Sequence, residues 1–357
     1  MKLNIKWIAS VMMMVVCGRC FAWTDLDGGN HGGSNWVIAG GSSIASNHYG
    51  IGMMTISSGA TVSVKSWDGS KYGGVSISAT DIRIDGVLDA SGAGYAGGNG
   101  GNGGFGSASI GASGGSGVAG SPGSGPFGGS GGVSGSGGYD SGNPGVTRPG
   151  WPGGYGGLGG YATNGMQGDA TTNDAVLMGG GGGGGAGGGA GWNLLGTTSG
   201  GGGGAGGNPG AGWIKLYATN TIIVRGTLQA KGLAGARQNG GTGQTQMPAA
   251  QGGNLGCSTI AGQSLGGAGG ASIPAQCYPA GLGGNGGAGA GGGILLQAGT
   301  VDTLGGNLDN RGGGNSLVNG GTLKIIAITL QGGSYTNTGR AYLQQLLPPE
   351  PGTVFEF

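Results

Sequence analysis

The chain has 357 residues, of which 104 are glycine, and only 8% are charged. So little charge, beside seven Trp and ten Tyr, excludes the usual disordered chain, which is highly charged and poor in aromatics. Taking Lys2, Lys6 and Arg19 of a cleavable N-terminal segment from the 14 basic residues leaves 11 against 13 acidic ones, which excludes a basic nucleic-acid footprint.

Residues 1–22 read as a signal peptide. Lys2 and Lys6 form its positive end, Ile8 to Val16 its apolar stretch, and Phe21-Ala22 offers a small residue before a cut at Trp23. The apolar stretch is too short to span a bilayer. No later segment is long and apolar enough to span, so the mature chain is expected to be secreted or held at the cell surface. Cys17 and Cys20 fall inside the signal.

Residues 23–92 are expected to form an N-terminal β region and a first repeat. "TDLDGG" (Thr24 to Gly29) opens like a calcium loop, but no third acid or closing Glu follows, so no metal is expected. His31 and His48 have no nucleophile motif near them. "MMTISSGATVSVKSW" is a partial repeat, and "VSISATDIRIDGVLDASG" from Val75 a full one. The second is "WIKLYATNTIIVRGTLQAKG" over 213–232. "ILLQAGTVDTLGGNLDNRG" and "GTLKIIAITLQGGSYTNTG" follow within 294–347. Each alternates apolar and polar residues, the period of a half-buried strand. The first three turn at glycine: Gly86, Gly226 and Gly305-Gly306. One such unit cannot bury its own apolar face, so the copies are expected to stack. The expected fold is all-β, a β-solenoid or an elongated β-sandwich.

Two glycine-rich inserts, 93–212 and 233–293, separate the copies. Their non-glycines recur every three residues, as at Asn99, Asn102 and Phe105, or Tyr155, Leu158 and Tyr161. Three residues per turn is the repeat of an extended helix without internal hydrogen bonds. The inserts are therefore expected as lobes of packed polyglycine II helices, "MGGGGGGGAGGGAGW" (178–192) among them. A disordered glycine-rich loop is the competing reading.

Cys257 and Cys277 lie in the second insert. Two cysteines in an exported chain predict one disulfide, with a metal pair or a catalytic thiol as the competing reading. Residues 348–357 form a tail, whose apolar "GTVFEF" reads either as a strand offered to another subunit or as an untethered end.

The stretches "IRIDGVLDASGAGYAGGNGG" and "GGGILLQAGTVDTLGGNLDNRGGG" resemble exported bacterial glycine-rich surface proteins, adhesin-like and built from β-repeats. The glycine blocks resemble the polyglycine II sandwich of phage tail-fibre tip adhesins, over about residues 51–340. In those adhesins, loops emerging from the glycine bundle bind the host receptor. The signal peptide departs from the phage pattern and favours a bacterial surface protein.

Catalytic chemistry is thinly represented. Glutamate occurs only at Glu350 and Glu356, and the aspartates are scattered. Asp85 and Asp89 flank the Gly86 turn and read as turn or surface residues. The corresponding positions of the second copy hold Arg225 and Gln229, so no acid recurs along the stack. No cofactor motif is present. The candidate ligand contacts are insert aromatics: Tyr95, Tyr139, Trp151, Tyr155, Tyr161 and Tyr278, with Trp192 read as packing. Together these observations predict a non-enzymatic structural or adhesive protein, an adhesin or a matrix or appendage component, whose partner is a glycan or cell surface and which could also self-assemble. The second reading is a carbohydrate-active β-helix enzyme, a polysaccharide lyase or hydrolase.

Overall fold

The computed structural model describes residues 26–102, 118–125, 128–130, 176–184, 206–234, 286–317, 319–332, 335 and 337–346. Its strands are β1 (Gly29–Asn30), β2 (Trp36–Val37), β3 (Ser43–Ile44), β4 (Ser46–Ile56), β5 (Thr61–Val64), β6 (Gly74–Ile84), β7 (Val87–Asp89), β8 (Trp213–Val224), β9 (Thr227–Gln229), β10 (Ile294–Asp302), β11 (Asn307–Asp309), β12 (Thr322–Gln331) and β13 (Arg340–Gln345). All strand pairing is parallel. An eight-stranded sheet runs β1-β4-β6-β8-β10-β12-β13, with β2 also on β4. A five-stranded sheet runs β11-β9-β7-β5-β3. No helix among the described residues is long and apolar enough to cross a membrane.

The strands form where apolar and polar residues alternate. On β6 the inward residues are Val75, Ile77, Ala79, Ile82 and Ile84. In register beside them on β8 lie Ile214, Leu216, Ala218, Ile222 and Val224. The alternation slips once, after Ala79, where the pairing with β8 shifts register. The pairings of β4 with β6 and of β10 with β8 carry shifts of their own. Such bulges bend a sheet while keeping its apolar side inward. Leu88, Leu228 and Leu308 form a matching ladder on the five-stranded sheet and join the same core. Each fully buried Ile or Leu contributes about 1.5–3 kcal/mol of transfer free energy.

β4, β6, β8 and β10 each turn into a short strand at a glycine. A Cβ at Gly226 would meet the carbonyl of Gly86 in the turn beneath, and one at Gly306 the carbonyl of Val224. The turns lie too close for any side chain.

Glycine segments then lead from the five-stranded sheet back to the eight-stranded one. They carry no strand pairing, yet their backbones bond to one another at intervals of three residues. Gly179 and Gly182 donate to the carbonyls of Ala211 and Asn208. Gly287 and Ala290 donate to Gly183 and Gly180. Val118, Ser121 and Ser124 donate to Asn102, Asn99 and Ala96. Buried amides must find partners, and here they find them between segments.

This layout corrects the expected solenoid or elongated sandwich with glycine inserts as polyglycine II lobes. The two sheets are open parallel layers and do not close into a coil. Closure fails on the side where the glycine segments run. Residues 118–125 and 176–184, from within the long insert, interpose there and bond to the segments that flank the strands. The described glycine segments are thus bonded into the body that holds the sheets and are not lobes set apart from it.

Candidate functional site

In a strand the side chains that do not enter the core must face out. On β8 that rule places Trp213, Lys215 and Tyr217 on the outer face, between the buried Ile214 and Leu216. Register then sets their neighbours. One row across the sheet reads Asn47, Ser76, Lys215, Leu295, Lys324, Tyr342. The next reads Ser78, Tyr217, Gln297, Ile326, Gln344.

Whereas Leu295, Lys324 and Ile326 further along are buried, the β4, β6 and β8 members of these rows line a shallow, open groove of about 610 Å³. Its walls are Asn47, His48 and Tyr49 of β4, Ser76 and Ser78 of β6, and Trp213, Lys215 and Tyr217 of β8. Tyr49 is 51% exposed. Trp213 is the ladder partner of Gly74, and a Cβ at Gly74 would lie only 2.1 Å from the indole ring. The ring thus rests on bare backbone. Lys215 Nζ stands 5.3 Å from the ring centroid, a cation–π contact. Behind the aromatics, Val176, Leu295 and Ile326 form a small apolar cluster against which Trp213 and Tyr217 pack. Residues four apart on a strand stand about 13 Å apart, so a ligand touching both Trp213 and Tyr217 is an extended chain.

Most of the described acids are engaged elsewhere. Asp302 receives Arg225 through two hydrogen bonds, 2.9 and 2.5 Å, and this holds its carboxyl below the usual carboxylate range. Burial pushes Asp309 up, but Arg311 (2.7 Å) and the Lys231 charge (3.6 Å) outweigh it and the net shift is downward. Asp27 of the "TDLDGG" stretch pairs with Lys65, whose hydrogen bond lowers its pKa, and accepts the Tyr72 hydroxyl. Asp85 pairs with Arg83 at 2.7 Å, and Asp89 accepts the Ser91 amide at 2.7 Å. Gln229 stands beside Asp89 in the ladder. Among the described residues no group of three metal-ligating side chains comes together. The two histidines meet in the N-terminal region, His31 Nε2 lying 3.2 Å from His48 Nδ1 and both rings 4.5 Å from that of Trp36.

Of the aromatics singled out from sequence, Tyr95 is half-buried. It packs edge-on against Trp67, ring centroids 5.9 Å apart, and covers Gly125. Tyr139, Trp151, Tyr155, Tyr161, Trp192 and Tyr278 lie outside the described residues, as do Cys257, Cys277, the signal segment 1–22 and the tail 348–357. The groove residues Tyr49, Trp213, Lys215 and Tyr217 are not among the sequence candidates, which are aromatics of the inserts. The alternation in "WIKLY" carried the signal: once Ile214 and Leu216 go inward, Trp213, Lys215 and Tyr217 must face out.

Comparison with family models, with curated proteins and with solved structures gives no match.

Proposed function

We propose that the chain is an exported, surface-held, non-catalytic protein that binds a linear glycan in the groove on the outer face of the eight-stranded sheet. One observation carries this reading: Trp213 and Tyr217 flank Lys215 in one open groove, with Asn47, Ser76 and Ser78 beside them. An aromatic ring carries negative charge on its face and attracts the polarised C–H groups of a sugar ring. The amide, hydroxyl and ammonium groups supply the hydrogen bonds that a polyhydroxyl chain needs. The open, shallow form suits a polymer entering from the side rather than a small molecule to be enclosed. The pairing of Asp302 and Asp309 with arginine supports the non-catalytic part, since a general acid needs a raised pKa. Export rests on the signal-like segment 1–22.

The test is a glycan panel probed with the wild-type chain and with Trp213→Ala and Tyr217→Ala. Binding to at least one linear glycan, lost in both variants while circular dichroism stays unchanged, is expected. Binding that survives both substitutions, or none by the wild-type chain, overturns the groove. Release of new reducing or unsaturated ends from a bound polysaccharide overturns the non-catalytic part.

A further inference from the structure

We propose that two copies of this chain pair edge to edge through β13, antiparallel about Leu343, to make a closed dimer. β13 ends the eight-stranded sheet, and among the described residues no strand lies on its far side. Arg340 and Leu346 donate their amides to the carbonyls of Gly321 and Ala327, on the β12 side. In a parallel ladder a residue turns both its N–H and C=O to one neighbour, and the next residue turns both away. Ala341, Leu343 and Gln345 therefore aim their backbone groups outward, ready to accept a strand by β-augmentation.

The end of the core is also uncovered. Leu343 is the register partner of Ile325, which is fully buried, yet Leu343 is 45% exposed and Leu346 39%. A stacked architecture needs a polar cap at each end, and an edge is normally blunted with Lys, Pro, charge or a bulge. β13 (RAYLQQ) carries a single charge, Arg340 at its start, and neither Lys nor Pro within the strand, so its middle and end are left unblunted.

A second copy fits this edge by its own sequence. Antiparallel pairing of identical edges places the two-fold axis normal to the sheet, so faces are preserved and residues pair with an even sum. Centred on Leu343, the register sets Leu343 against its counterpart, Tyr342 against Gln344, and Ala341 against Gln345. Arg340, the one charge on β13, meets Leu346 and not another arginine. Head-to-tail growth is disfavoured because the opposite edge offers only β1 and β2, two residues each, separated by a turn at Gly32 and Gly33. A heterologous contact of that kind is what filaments require. The axis normal to the sheet also points both grooves the same way. If the groove binds glycan as proposed above, the dimer is bivalent toward one surface.

Sedimentation of the full chain over a concentration series tests the pairing without reference to glycan. A monomer–dimer equilibrium is expected. A monomer at every concentration, or growth beyond the dimer, overturns it. Leu343→Pro removes an amide that β12 does not use, a substitution edge strands accept, and Leu343→Lys sets two like charges on the axis. Both variants are expected to be folded monomers; because position 343 is so exposed, the lysine variant decides the matter if the proline variant does not fold. A dimer persisting in Leu343→Lys overturns the edge. On an immobilised glycan the wild type should bind about 100-fold tighter than Leu343→Lys, with equal affinity for the same glycan free in solution.

Discussion

The indole of Trp213 lies over Gly74, its ladder partner on β6, in the space where a side chain at position 74 would stand. Gly74→Ala should therefore displace the ring without touching any other groove residue. Glycan affinity is expected to fall about tenfold, or about 1.4 kcal/mol, and stability by about 1–3 kcal/mol from overpacking. Isothermal titration with the panel-selected glycan reads the first and a denaturant midpoint the second. Unchanged affinity would remove Trp213 from the site.

Gly182 sits where a Cβ would strike the carbonyl of Gly287, whereas Gly59 faces open space with φ +78°. Gly182→Ala forces two bonded backbones apart and is expected to cost about 1–3 kcal/mol. Gly59→Ala carries only local backbone strain of about 1 kcal/mol. Urea midpoints of the two variants should fall in that order; the reverse order would mean that the glycine segments are not packed in solution.

The amides of Gly179, Gly181, Gly182 and Gly184 all donate to carbonyls of other segments. Amide hydrogen exchange should find them protected to a degree approaching that of β8. Exchange as fast as in an unfolded peptide would contradict the interlocked arrangement.

Asp302 and Asp309 both titrate below an ordinary aspartate because arginine bonds their ionised forms. A depressed folded pKa contributes stability that is complete above the unfolded value, about 3.9, and is lost as pH falls through the lower folded value. Thermal midpoints should thus hold from neutral pH to about 4 and drop below it. Asp309→Asn should lower stability at pH 7 by about 1–3 kcal/mol and flatten the acid slope. A variant with the wild-type slope would show that the Asp309 pairing contributes nothing.

Much of the β architecture could be read from local pattern. The alternation in Val75 to Ile84 and in Trp213 to Val224 marked strands, and Gly86 and Gly226 marked the turns, because side-chain period and turn chemistry are properties of a few consecutive residues. What escaped was everything that depends on register between distant segments. A glycine run such as 179–184 has no side chain to mark a partner, so its bonds to Asn208, Ala211, Ser121 and Ser124 leave no trace in the sequence. The layout of two open sheets followed from those bonds, since segments from within the insert occupy the side on which a coil would have closed. The groove was hidden for the same reason. Asn47, Ser76 and Lys215 belong to three strands far apart in the chain, and only parallel pairing in one particular register sets them in a row. Alternation along each strand assigns its residues to one face or the other, but which residues of the outer face stand together, and which of them, such as Leu295 and Lys324, are covered there, follows from backbone hydrogen bonds between distant segments that carry no side-chain signature.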